Sequence, residues 1–191
     1  MREERGHLTP RRRHRYPVGG VFWRRKTKGS PGQAAKGLNV FDGLRNQALA
    51  STAADAGWKS RPPERRVYGA LLDWGLDSAT ATVFALDDGT ASLYLSSGGG
   101  IIGGGSHYSV RDAARAFVGS FEPFLDDMEP DADGATPPGG TTDLRALTLA
   151  GRLRVRGPTG AFGRRQHPMS EAFDAGQALI AQLRQVAEKQ S

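Results

Sequence analysis

The chain has 191 residues, a formal charge of +6 from 26 Lys and Arg against 20 Asp and Glu, and no cysteine. This excludes a disulfide framework, a thiol nucleophile, an iron–sulfur cluster and a thiolate zinc site, and the length suits one domain able to bury roughly 70% of its unfolded surface. No stretch reaches the ~18 apolar residues of a membrane span and no apolar core follows the N-terminal arginines, so no membrane span and a cytoplasmic location are expected.

The charge is unevenly placed. Residues 1–36 hold 11 of the 26 basic and 2 of the 20 acidic side chains, leaving the rest mildly acidic. Arg11-Arg12-Arg13, Arg15, Arg24-Arg25-Lys26 and Lys28 stand among Gly, Pro and His without apolar periodicity, so residues 1–37 read as a disordered basic arm ahead of one domain over 38–191. Tyr16, Phe22 and Trp23 interleave with the arginines. Residues 11–28 are thus a candidate contact for nucleic acid, and Val40 is a candidate alternative start of translation, which would make the arm a gene-start artefact.

Asn39 and Asp42 form a capping pair, and Phe41, Leu44, Ala48 and Leu49 recur at helical spacing, which predicts a helix to about residue 52. Residues 67–74, 79–86 and 90–96 read as strands, the last two joined by the hairpin dipeptide Asp88-Gly89. Ser109 with Asp112 opens a second helix, whose inner stripe runs through Val110, Ala113, Ala114, Phe117, Val118, Phe121, Leu125 and Met128, with a kink expected at Pro123. Residues 129–143 are acidic, then rich in Pro and Gly, and read as a mobile loop. A hairpin of 144–150 and 152–155 and a last helix from Pro168 and Ser170, with Phe173, Ile180, Leu183 and Val186 inward, complete the order αβββαββα. The expected fold is α+β, a five-stranded antiparallel sheet with packed helices.

The run from Ser96 to Ser106 contains six glycines between a strand and a helix. Gly98, Gly100 and Gly103 have the spacing of a dinucleotide fingerprint, and Gly99 to Ser106 that of a phosphate loop with glycine replacing its lysine. Both motifs require a βαβ context that a meander lacks. Two readings stay open. Gly103, Gly104, Gly105, Ser106 and His107 with Arg111 and Arg115 are a candidate anion nest at a helix start. Alternatively, the glycines shape a strand end over which another element packs. Phe162, Arg164, Arg165 and His167 form a candidate interaction loop. Neither His107 nor His167 has the neighbours of a catalytic triad or metal site, so no catalytic residue, metal or cofactor is expected.

The blocks FDGLRNQAL, SLYLSSGGGIIGGGSH, QHPMSEAF and AGQALIAQL, spread over residues 39–183, resemble an uncharacterised family of small bacterial proteins. The resemblance implies a shared fold and carries no activity. The element order is also similar to that of profilin-like and roadblock-type domains, which implies partner binding or dimerisation through a sheet edge and helices. The leading expectation is a non-enzymatic domain that self-associates or docks a protein partner. The alternatives are a phosphate- or carboxylate-binding module, or weak enzyme, using the glycine loop, and nucleic-acid binding by the arm.

Overall fold

The computed structural model describes the backbone of residues 31–60, 62 and 64–189, and side chains from Val40 onward. The basic segment 11–28 lies outside the described residues. Helix α1 (Pro31–Leu49) precedes strands β1 (Val67–Gly75), β2 (Thr80–Leu86), β3 (Ala91–Leu95) and β4 (Gly100–Ile101). There follow α2 (Tyr108–Gly119), β5 (Glu129–Pro130), β6 (Thr141–Thr148), β7 (Gly151–Pro158), α3 (Thr159–Gly163) and α4 (Ser170–Lys189). Among the described residues no helix is long and apolar enough to cross a membrane.

The strands form one antiparallel sheet in the order β4-β3-β2-β1-β6-β7-β5. Among the described residues, seven strands and four α-helices replace the expected five and three, although the α+β class stands. The added strands, β4 and β5, have two residues each. The first lies within the glycine run and the second contains a proline, so neither has the β-branched alternation that marks a strand in sequence. The added helix α3 is five residues long, too short for periodicity to reveal.

β1 is central and buried on both faces, which explains its nearly continuous apolar run. Ala70 and Leu72 face α2 and α4, together with Val83, Leu93, Leu144 and Ala146. Leu71 faces α1, with Phe84, Tyr94 and Leu147. A register shift between Val67 and Gly69 lets Val67 join the first core and Tyr68 the second.

The expected long helix with a kink at Pro123 is instead two pieces. α2 stops at Gly119, and Pro123 sits in the first turn of a separate 3-10 segment, Glu122–Asp127. Proline has no N–H to donate, and the first turn of a helical segment needs none from it, so the chain restarts rather than bends. The apolar stripe survives the break. Phe121 is fully buried, edge-on to Phe117 at 5.3 Å between ring centres, and Leu125 and Met128 continue into the core.

Phe121→Ala and Phe173→Ala each remove a buried ring from the core beneath α2 and α4. Each is expected to cost about 3–5 kcal/mol. Urea unfolding checks this, and near-neutral variants would contradict the packing of both helices on the sheet.

Candidate functional site

The sheet face beneath α1 changes along its strands from apolar to ionic. Beyond Leu71 on β1 comes Asp73, level with Thr82 on β2 and Asp143 on β6, and all three are fully buried. Arg145, two residues from Asp143 on β6 and also fully buried, binds Asp73, Asp131 Oδ2 at 3.1 Å and Asp143 Oδ2 at 2.7 Å, and donates to the Ala135 carbonyl. From α1, Arg45 grips Asp73 with two bonds of 3.1 and 2.7 Å and reaches the Gly134 carbonyl at 2.6 Å. The Thr82 hydroxyl also donates to Asp73.

β7 supplies the outer ring. Its alternation sends Leu153 and Val155 to the apolar core and Arg152, Arg154 and Arg156 to the opposite, ionic face. Arg156 clasps Asp143 at 2.6 and 2.7 Å. Arg154 lies 3.0 Å from Asp133 and 3.4 Å from Asp131 Oδ1, and Arg152 lies 3.6 Å from Asp131 Oδ2. Burial opposes the charge on Arg45, but hydrogen bonding and attraction to Asp73 outweigh it and raise its pKa. The hydrogen bond to Asp143 likewise raises that of Arg156, and the Ala135 N–H, aided by Arg154, lowers that of Asp133. The acids are therefore matched to guanidinium groups. Among the described residues no cluster of His, Cys, Asp or Glu has the arrangement to hold a metal ion.

The glycine run is built into the packing. Gly98, Gly99 and Gly103 have φ of +100°, +85° and +80°, and a Cβ on Gly104 would collide with Leu183 of α4. Gly104 and Ser106 belong to a 3-10 turn whose Gly104 carbonyl accepts the His107 N–H at 3.1 Å. His107 then caps α2 through its backbone position, with no side-chain capping bond. Arg115 donates to the carbonyls of Asp87 and Asp88 at 3.2 and 3.1 Å, tying α2 to the β2–β3 turn, while the Arg111 stem lies over Gly89 of that turn. The two arginines thus meet at the hairpin turn.

The loop residues separate by depth. Phe162 is fully buried, stacked on Phe173 at 5.6 Å and against His167 at 4.2 Å. Arg165 is exposed, with φ of +57°, and pairs with Asp174 at 2.7 Å, while Arg164 bonds Gln166 at 3.1 Å. His167 Nδ1 accepts the Met169 N–H at 3.1 Å, and its partial burial lowers its pKa.

The ionic residues Asp73, Arg145 and the β7 arginines escaped the sequence reading. Their signal was available: a charge inside an apolar strand, in ALLDW and DLRAL, and the alternation RLRVR. What it lacked was any indication of which acid meets which arginine.

Arg145→Met removes the fully buried guanidinium shared by three buried aspartates and is expected to cost about 3–5 kcal/mol, whereas Arg156→Gln, at the partly exposed rim, should cost much less; urea unfolding compares them. The lowered pKa of His167 has a definite sign. Folding favours the neutral ring, so its contribution is present above the unfolded pKa and is lost as pH falls through the folded one. His167→Gln should therefore flatten the fall in melting temperature between pH 7.5 and 5, roughly the window in which histidine titrates. Comparison with protein-family models, with curated proteins and with solved structures found no match to this chain, so the functional reading rests on its own residues.

Proposed function

We propose that this chain is a protein-interaction domain that self-associates by adding a second copy to the β4 edge of its sheet. The supporting observation is the contrast between the two edges. At the far edge, β5 consists of Glu129 and Pro130, a charge and a residue with no N–H, both of which oppose strand addition. At the near edge, β4 consists of Gly100 and Ile101, followed by Ile102 at 67% exposure.

The ladder geometry makes that edge receptive. The Leu95 N–H donates to the Gly99 carbonyl at 3.1 Å, and Leu93 pairs with Ile101. By the alternation of antiparallel bonding, Gly100 and Ile102 then direct their N–H and C=O groups away from β3. Tyr108, 71% exposed at the start of α2, adds a large amphipathic ring just beyond the turn. A two-fold pairing of β4 with its counterpart satisfies these groups and covers Ile102 with the same residue from the other copy.

Light scattering on the full chain over a wide concentration range is expected to show a monomer–dimer equilibrium. Ile102→Lys should shift it to monomer while changing stability by no more than about 0.5 kcal/mol, the usual scale for an exposed position. A chain that stays monomeric at every concentration, or a dimer indifferent to Ile102→Lys, overturns the reading.

A further inference from the structure

We propose that residues 131–136 form a displaceable strap over an oxyanion-binding face, and that a polyphosphate-like ligand takes the strap's place on its arginines. The inference is independent of the β4 edge. The permanent part of the face, carried by α1, β1, β6 and β7, holds Arg45, Arg145, Arg152, Arg154 and Arg156 against only Asp73 and Asp143. It therefore carries an excess of positive charge. The strap offsets two of these three excess charges with the Asp131 and Asp133 carboxylates and adds the Gly134 and Ala135 carbonyls as acceptors.

Several guanidinium forks converging on a row of oxygens also suit a chain of phosphates. The strap fills that role imperfectly. Asp131 Oδ1 is buried without a hydrogen bond, its ion-pair partner Arg154 being 3.4 Å away. Nor does apolar packing hold the strap firmly, since only Asp131 and Gly134 are buried between residues 131 and 136. Its closure relies on ion pairs, on the carbonyl contacts to Arg45 and Arg145 and on the backbone bond from the Asp131 N–H to the Arg152 carbonyl at 3.0 Å, so opening is favourable only when a ligand supplies replacement oxygens to the same guanidinium groups. A ligand that binds only the open state shifts that balance by its differential affinity.

The test uses sodium tripolyphosphate on the full chain, with sodium chloride at matched ionic strength as control. Asp131→Asn with Asp133→Asn should bind it at least tenfold more tightly than the parent by calorimetry, and adding Arg154→Gln and Arg156→Gln should abolish the gain. In the parent, tripolyphosphate should speed hydrogen exchange of the strap amides while leaving β1 protected. If the double aspartate variant does not fold, Asp133→Asn alone, at a side chain 63% exposed, should show a smaller gain in the same direction. Equal affinity of parent and aspartate variants, a gain that survives loss of the two arginines, or strap exchange unaffected by the ligand overturns the proposal.

Discussion

The buried junction of Arg145 with Asp73, Asp131 and Asp143 is the constraint on which the α1 side of the fold depends. A guanidinium taken fully out of water requires acceptors around its whole plane, and here two strands and the loop between β5 and β6 must come together to supply them. Arg45 shares Asp73 and carries the requirement into α1. The network thus specifies how helix, sheet and loop are registered, whereas the apolar contacts of Phe41, Ala48 and Leu49 tolerate more sliding.

The two sheet faces consequently do different work. Beneath α2 and α4 the contacts are almost wholly apolar, and most of the hydrophobic burial lies there. Beneath α1 an apolar half gives way to a charged half, because β6 and β7 place Asp143, Arg145, Arg154 and Arg156 on that side. Charge pairing of this kind adds less net stability than the first core, but a wrong register leaves a buried ion without a partner. Segment 131–136 closes the network from the β7 side, through Asp131, Asp133 and the Gly134 and Ala135 carbonyls.

The glycine run shows how a motif that resembles a phosphate loop can serve packing. A strand must end, a tight turn must form and α4 must pass above the bare backbone of Gly104, all within a few residues. Side chains are excluded there by Leu183 and by positive φ at Gly98, Gly99 and Gly103. The same compression leaves β4 short and Ile102 uncovered at the edge. Packing and edge exposure are therefore two results of one local solution.

The sequence by itself determined whatever repeats with a fixed period or a short-range signal. The β1–β3 meander, the inward stripe from Val110 to Met128, the β6–β7 hairpin and the inward face of the last helix all follow from local alternation. Only the tertiary structure decided that β1 lies between β2 and β6, that β4 and β5 extend the sheet, and that α1 covers the face opposite α2 and α4. It alone paired Arg145 with Asp73, 72 positions away. It also buried Phe162, read from sequence as part of an interaction loop, under a stack with Phe173. The physical reason is common to these cases. Periodicity tells which side of an element a residue faces, but a charge or ring meets its partner only when distant elements pack, and that choice depends on the free energy of the whole assembly rather than on any local window.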